Sequence, residues 1–290
     1  MNKIVTLDAA CRQCFLDMVD RLGEKHLPAA ELDRLRAQVD ELMAAAPPGS
    51  VAPMVARQVT DLVSAALGIE DPFIAPKQVA NEHAAAVLDD LRALIDKADD
   101  PFAAAVRIAL AGNVIDFVYR GSHDLLTVAK RLLAEPLGID AIDELRAELV
   151  DARTVLVLGD NVGETWCDRL LLERFPSHLD VTYAVRSAPI LNDVTLPDAR
   201  IAGLDRVARV LPSGSDAPGT LLDKLTPEMR ERFAVADVVL SKGQGNFESL
   251  YGRAARPLYF MFLVKCEHVA GIIGQPVGKG IIWRWTPAAD

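Results

Sequence analysis

The stretch TVLVLGDNVGETWCDRLLLERFP, residues 154–176, decides the fold of the carboxyl-terminal half. It begins with an apolar run, 154–158, that is typical of a buried strand, and it continues after Gly159 into a helical pattern. Asp160 and Asn161 stand between the two, where the strand ends. Because open α/β sheets bind their ligands at the carboxyl ends of their strands, these two side chains are placed for chemistry.

Further apolar runs repeat this alternation of strand and helix. They are 180–186, 208–213, 236–243 and 257–266, and a last run, 280–285, is expected as an edge strand. Continuous apolar strands separated by helices are typical of a mainly parallel sheet that is covered on both faces. We therefore expect residues 151–290 to form a three-layer, doubly wound, Rossmann-like α/β domain.

Residues 1–150 have a helical period. Apolar side chains recur there at three- and four-residue steps, as in 32–43 and 87–95. Asp100 followed by Pro101 predicts a helix start, with the aspartate as the cap and the proline in the first turn. The amino-terminal half should thus be a helical domain, 1–150, that packs on the α/β domain.

The composition limits the classes of function. The 290 residues are 51% hydrophobic, enough for a large core, and the net charge of −10 leaves no basic footprint for nucleic acid or for an anionic membrane. No apolar run approaches the roughly 18 residues of a transmembrane span, and the first residues lack the apolar segment of a signal peptide. We expect a cytoplasmic protein that acts on a small molecule.

The four cysteines do not suggest a disulfide framework in a chain of 290 residues. Cys11 and Cys14 form a CxxC without a matching second pair, so a metal or redox role is a weak prediction. The alternative is that these thiols are reduced and that Cys167 and Cys266 are buried as small hydrophobes.

Polar residues follow each of the first five predicted strands of the sheet. Beyond Asp160 and Asn161, they are Glu164 in the first helix, Arg186 and Asp193 after the second strand, Gly214, Ser215 and Asp216 after the third, Lys242 and Asn246 after the fourth, and Lys265 after the fifth. Taken alone, these groups can be a capping box, an Asx-turn or glycine-containing loops. Such explanations do not account for why all of them follow strands of one sheet, which favours a binding site.

The residue types predict metal-assisted phosphoryl chemistry. Asp160, Asn161 and Asp193 offer oxygen ligands to one divalent cation, which would keep open positions for a phosphate oxygen. Lys242 and Lys265 can neutralise phosphoryl oxygens as point charges. The nucleophile is left open: a water attacks in line, or Asp160 attacks phosphorus and forms an aspartyl-phosphate.

The glycine-containing loop adds an anion site to this prediction. The backbone N–H groups of Gly214, Ser215 and Asp216 precede a predicted helix and are expected to form an anion nest. The predicted partner is therefore a small phosphorylated metabolite, and the oligomeric state is left open.

The motifs LVLGDNVGE, RSAPILNDVT, SGSDAPGT, SKGQGNFESL and FLVKC, in this order, resemble the metal-dependent damage-control phosphatases. The segments CRQC, 71–81 and 112–117 are similar to the prokaryotic branch of that family, with its amino-terminal CxxC. The resemblance covers nearly the whole chain and implies a helical bundle packed on a three-layer α/β domain. It also implies hydrolysis of phosphate esters of small metabolites, either sugar phosphates or damaged cofactor precursors, with Mn²⁺, Co²⁺, Ni²⁺ or Mg²⁺.

The resemblance implies roles for single residues. Asp160, Asn161 and Asp193 match the metal ligands, Lys265 matches a lysine associated with phosphate, and Glu164 matches an acidic residue of the pocket. The eukaryotic branch has Arg-Thr-x-Lys before that lysine, whereas this chain reads FLVK at 262–265, so the arginine's role does not carry over.

Two residues of the helical half stay ambiguous. Asn113 and Asp116, three apart, could close the pocket from the helical half or hydrogen bond between helices.

Two other functions are kept as alternatives. One is an S-adenosylmethionine-dependent methyltransferase, because Gly159 and Gly163 lie near a strand end, although Asp160 and Asn161 occupy the centre of that turn. The other is a non-catalytic phosphometabolite-binding protein on the same fold. A dehydrogenase is disfavoured, since no G-x-G-x-x-G follows the first strand.

Overall fold

The computed structural model describes residues 4–113 and 124–288. The helices of this part are α1 (Ala9–Gly23), α2 (Ala29–Ala45), α3 (Ala52–Leu67), α4 (Ile74–Ala86), α5 (Leu88–Asp96), α6 (Pro101–Gly112), α7 (Leu125–Ala134), α8 (Ile142–Asp151), α9 (Glu164–Leu172), α10 (Leu196–Ile201), α11 (Pro227–Val235), α12 (Gln244–Leu250) and α13 (Glu267–Ile273). The strands are β1 (Ile139–Asp140), β2 (Thr154–Leu158), β3 (Asp180–Val185), β4 (Arg209–Pro212), β5 (Val238–Lys242), β6 (Leu258–Leu263) and β7 (Gly280–Trp285). Within these residues, no helix has both the length and the apolar character to cross a membrane.

The strands form one sheet in the order β1-β7-β6-β5-β2-β3-β4, which confirms the predicted α/β class. The neighbours from β6 to β4 are all parallel, and β7 runs antiparallel to β6. The expectation that 280–285 is an edge strand is wrong. β7 pairs with β6 on one side and with β1 on the other, and the two residues of β1 are too few to give a strand pattern in the sequence.

The strand order changes direction at β2. From β2 the chain proceeds outward through β3 to β4, and it then returns to β5 on the other side of β2. The carboxyl ends of β2 and β5 therefore border the crevice in which doubly wound sheets bind ligands.

Both faces of the sheet are buried. In β2, Val155 and Val157 belong to the core beneath one layer of helices, while Leu156 and Leu158 belong to the core on the opposite face. This alternation explains why the strand reads as a continuous apolar run. A third, separate core lies among α1, α2 and α3.

The division of the chain at residue 151 stays a prediction. The first of these cores contains residues from before that point, such as Leu91 and Ile108, together with strand residues from after it, such as Val157. Helices from the amino-terminal half therefore share a core with the sheet.

The helix starts follow local sequence signals. The Asp100 side chain accepts a hydrogen bond of 3.0 Å from the Ala103 N–H, and Pro101 is the first residue of α6, as predicted. The capping box proposed for Asn161 does not form, since α9 begins at Glu164.

The packing of α12 on the sheet yields a stability prediction. Phe247 is fully buried, and its ring centroid lies 5.0 Å from that of Phe260 and 4.9 Å from that of Phe262. Phe247→Ala should lower the free energy of unfolding by about 3–5 kcal/mol, because it leaves a cavity between helix and sheet. Urea unfolding measures the change. Val235→Ala, at a side chain that is 68% exposed, is the control and should stay within about 0.5 kcal/mol of wild type.

Candidate active site

Backbone pairing brings the predicted metal ligands together. The turn after β2 and the loop after β3 are joined because the Val194 N–H donates to the carbonyl of Asp160 over 2.8 Å. Asn161 and Asp193 form an isolated antiparallel bridge beside this bond. The loops thus place Asp160, Asn161 and Asp193 side by side, and all three are buried.

The charges around Asp160 are unbalanced. Burial raises the pKa of Asp160 well above its usual value, and the negative charges of Asp193 and Glu164 raise it further, against the opposing effect of Lys265 and Arg186. Arg186 donates from Nε to Oδ2 of Asp193 over 2.6 Å, and its Nη2 lies 3.8 Å from Oδ1 of Asp160 without a hydrogen-bond partner. Arg186 therefore forms a hydrogen-bonded ion pair with Asp193 and only a longer ion pair with Asp160.

The Asp160 carboxylate is held in place from two sides. Oδ2 accepts hydrogen bonds of 2.9 Å from Nδ2 of Asn113 and from Nδ2 of Asn161. The turn after β5 packs against the same group: Gly243 has φ +80°, and a Cβ there would come within 2.0 Å of the Asp160 Cγ. Asn113 therefore does reach the site from α6, while Asp116 lies outside the described residues.

A buried ionic cluster lies beneath Asp160. Lys242 donates from Nζ to carboxylate oxygens of Glu164 and Asp168 and, over 3.1 Å, to the carbonyl of Ala109. Tyr183 donates to Asp168 over 2.6 Å. Burial raises the pKa of Asp168 to about 6, against the attraction of Lys242. Burial lowers the pKa of Lys242, but the two carboxylates together raise it above its usual value, so the lysine stays protonated. Asn113 joins this cluster to the site, since its Nδ2 also donates to Glu164 over 2.9 Å.

Three residues expected at the substrate are instead buried in the protein. Among the described residues, Glu164, Lys242 and Arg186 are absent from the cavity wall that Asp160 lines. Lys242 points away from the cavity because it lies two residues after Leu240 in β5 and so shares that residue's face, which the helical layer covers. The predicted contact of Lys242 with phosphate is therefore wrong.

Asn246 is also not part of the described cavity wall. Its Nδ2 donates to the carbonyl of Gly159 over 3.0 Å and to the carbonyl of Lys242 over 2.7 Å, and its Oδ1 accepts from Thr220 over 2.8 Å. It fastens the turn after β2 to the end of β5, which is a structural role and not the predicted contact with substrate.

The predicted anion nest is not built. The N–H of Gly214 donates to Oγ of Ser187 over 2.6 Å, and the N–H of Ser215 donates to Oγ of Ser213 over 3.2 Å. The helix that follows, α11, begins only at Pro227, so Asp216 does not lie at a helix N-terminus. Serine hydroxyls thus take up these N–H groups, one from the loop itself and one from the loop after β3.

A cavity of about 460 Å³ opens beside the three predicted metal ligands. Asp160, Asn161 and Asp193 line one end of it, together with Lys265. The N–H of Lys265 donates to Oε1 of Gln244 over 2.9 Å, which positions the residue at the end of β6. The opposite wall comes from α1 and α3, so the cavity lies between the sheet and the amino-terminal helices.

The donor set at this end of the cavity fits a hard divalent cation. In 4–113 and 124–288, no group of three or more His, Cys, Asp and Glu side chains is arranged to hold a metal, so Asp160 and Asp193 need the amide oxygen of Asn161 as a third ligand. In the buried cluster around Asp160, four carboxylates face one lysine and one arginine, which leaves a formal charge of −2. A divalent cation would balance that charge, and oxygen ligands are those that Mg²⁺ and similar ions prefer.

A largely buried acidic cluster beside a cavity, at the switch point of a doubly wound sheet, places the protein among the α/β proteins whose site lies at the carboxyl ends of the strands. A model of the damage-control phosphatase ARMT1-like domain matches residues 7–281, and the chain belongs to that family. This confirms the resemblance that the motifs carry, and membership of the family supports phosphatase activity. The amino-terminal CxxC of the prokaryotic branch stays a prediction.

Individual relatives agree with the family assignment. A damage-control phosphatase of Archaeoglobus fulgidus is 35% identical over 73% of this chain and 75% of its own length. One from Pyrococcus horikoshii is 37% identical over 75% of this chain and 76% of its own. The crystal structure of a DUF89 family protein from Pyrococcus horikoshii is similar to this chain with a TM-score of 0.86 and 31% identity, and it covers 96% of this chain and 98% of that one.

The buried cluster yields a second stability prediction. Lys242→Met should lower the free energy of unfolding by about 3–5 kcal/mol, because Glu164 and Asp168 would be left without their cation in a dry environment. Chemical denaturation measures the loss. The control is Lys279→Met, at a half-exposed side chain that lies 4.0 Å from Glu135, and it should cost no more than about 1 kcal/mol. Equal stabilities of the two variants would show that the cluster is not ionised as described.

Proposed function

We propose that the protein is a metal-dependent phosphatase that hydrolyses phosphate monoesters of small metabolites, such as sugar phosphates or damaged cofactor precursors. The observation that carries the proposal is the meeting of Asp160, Asn161 and Asp193 at one end of a cavity that Lys265 also lines. Membership of the damage-control phosphatase family supports the same activity.

Asp160, Asn161 and Asp193 would hold one divalent cation, with Mn²⁺, Co²⁺, Ni²⁺ and Mg²⁺ as candidates. When bound, such a cation polarises a phosphoryl oxygen and lowers the pKa of a bound water. Lys265 contributes a positive charge on the cavity wall, where it can bind the phosphoryl oxygens as charge develops on them.

Asp160 is better suited to hold a metal than to attack phosphorus. Its Oδ2 already accepts two amide hydrogen bonds, from Asn113 and Asn161, and a Cβ on Gly243 would collide with its carboxyl group, so Asp160 has little room to rotate. We therefore favour attack by water over an aspartyl-phosphate within this proposal.

The methyltransferase alternative has less support. A Cβ on Gly159 would lie 2.5 Å from the Tyr183 ring, which accounts for that glycine by packing alone. Gly163 is the cap residue of α9 and has ordinary helical dihedrals. A non-catalytic phosphometabolite-binding protein would use the same cavity, and turnover distinguishes it from an enzyme.

The metal site gives the direct test of the proposed activity. Asp193→Ala should reduce kcat/KM by at least about a thousandfold, because a lost metal removes several kcal/mol of charge stabilisation. Phosphate release is measured over a panel of phosphate monoesters with Mn²⁺, Co²⁺, Ni²⁺ or Mg²⁺. The control is Asp205→Ala, an exposed carboxylate beside the amino end of β4, which should keep wild-type activity. If no ester and no metal gives turnover above that of Asp193→Ala, the protein is not such a phosphatase.

Lys265 should contribute to binding of the phosphoryl group. Lys265→Gln should lower kcat/KM by about ten- to a hundredfold, since a hydrogen bond to a charged group contributes about 1.5–3 kcal/mol. Steady-state kinetics with the best ester and metal measure the effect. Lys130→Gln, on the exposed face of α7, removes the same charge from outside the described cavity wall and should be neutral. Wild-type kinetics of Lys265→Gln would show that Lys265 does not bind the phosphoryl group.

A further inference from the structure

Away from the carboxylates, the cavity wall is mostly apolar. Ala10 and Phe15 of α1 and Ala52 and Pro53 of α3 line it, and Leu191 completes it from the loop after β3. The cavity of about 460 Å³ is also much larger than a phosphoryl group needs, within the roughly 300–1,000 Å³ of small-molecule sites. The space beyond the predicted metal ligands must therefore accept some other part of a ligand.

Three of the four cysteines line this same cavity. Cys11 and Cys14 come from α1, and Cys266 follows Lys265. Burial raises the pKa of the Cys11 thiol to about 12 and also raises the pKa of Cys14 and Cys266. Protonated thiols behave as small, polarisable hydrophobes, so the CxxC extends the apolar wall.

The polar side chains of the wall already have partners. Glu248 accepts a hydrogen bond of 2.9 Å from Gln244, and Arg21 donates to the carbonyl of Asp17 over 3.1 Å. His268 contacts the carbonyl of Thr6 over 3.1 Å. These bonds hold the polar side chains against the protein's own groups, and the larger part of the cavity surface is apolar and offers the hydroxyl groups of a ligand no partner.

Leu191 has a strained backbone conformation at the cavity wall. It is the one non-glycine residue of the described chain with a positive φ, +45°, and it lies two residues before Asp193. Its side chain packs against the core of α1, α2 and α3 while lining the cavity. A strained backbone next to a site is kept only when the surrounding packing holds it.

We propose that α1 and α3 form a pocket for the organic part of the ester, and that this part is ring-sized and weakly polar, as in an aryl phosphate, and not a polyol, which excludes the sugar phosphates from the substrates considered above. The inference rests on the phosphatase activity proposed above and names its substrate class. The phosphoryl group would lie at the carboxylate end, and the ring would lie between α1 and the strand-end loops. Such a ligand buries apolar surface on the residues that the cavity provides.

The test compares two esters and a matched pair of variants. The esters are 2-naphthyl phosphate and glycerol 3-phosphate, and the readout is the ratio of their kcat/KM values with the preferred metal. Ala10 lines the cavity and Ala9 does not, although both are exposed at the start of α1, so Ala10→Leu fills the pocket and Ala9→Leu is its control. Fluorescence titration with 2-naphthol, which carries no phosphate, measures binding in the pocket without turnover.

The naphthyl ester also has the better leaving group, so the readout is the change of the ratio between variants, in which that intrinsic difference cancels. Ala10→Leu should lower the ratio by about tenfold and weaken naphthol binding, whereas Ala9→Leu should match wild type. Turnover of both esters with a ratio that Ala10→Leu leaves unchanged would overturn the pocket and leave the phosphatase standing. In the remaining case, neither ester is turned over, and Ala10→Leu weakens naphthol binding while Ala9→Leu does not. That result would support the pocket and overturn the phosphatase.

Discussion

The ion cluster of Lys242, Glu164 and Asp168 is the constraint on which the site depends. Lys242 and Glu164 are fully buried, and a charge in that environment is tolerated only with its partners present. The cluster ties the end of β5 to α9, and the bond from Lys242 to the carbonyl of Ala109 adds α6. Three elements must therefore meet before any group of the site is in position.

The cluster acts on the site through Asn113. Its amide nitrogen donates both to Glu164 in the cluster and to Asp160 in the site, so the position of one carboxylate fixes the other. Two glycines complete the arrangement, because the backbone at Gly243 lies against Asp160 and the backbone at Gly159 lies against the Tyr183 ring. The result is a set of carboxylates that neighbouring groups hold in place, with the cavity on one side.

The sequence predicts the parallel sheet and the grouping of Asp160, Asn161 and Asp193, because apolar runs and strand ends are local patterns. The sequence places Lys242 at the phosphate, whereas the structure buries it under the helical layer. Its spacing from Leu240 indicated this position, because alternate residues of a strand share a face. For Asn246 and the loop at Gly214, the sequence left both a structural explanation and a binding site open, and it did not identify the partners that the structure gives them. The cavity wall on α1 was equally hidden, because it depends on how distant helices pack.

The carboxylates and the opposite wall of the cavity belong to different cores. The carboxylates stand on the sheet, whereas α1 and α3 belong to the separate core of the amino-terminal helices. Arg57 of α3 joins the two, since its Nη1 donates to the carbonyls of Pro189 over 2.9 Å and Asp216 over 3.4 Å, in the loops after β3 and β4. A shift of α3 would therefore reach the loops beside the carboxylates, so the wall of the cavity and the buried charges are mechanically connected.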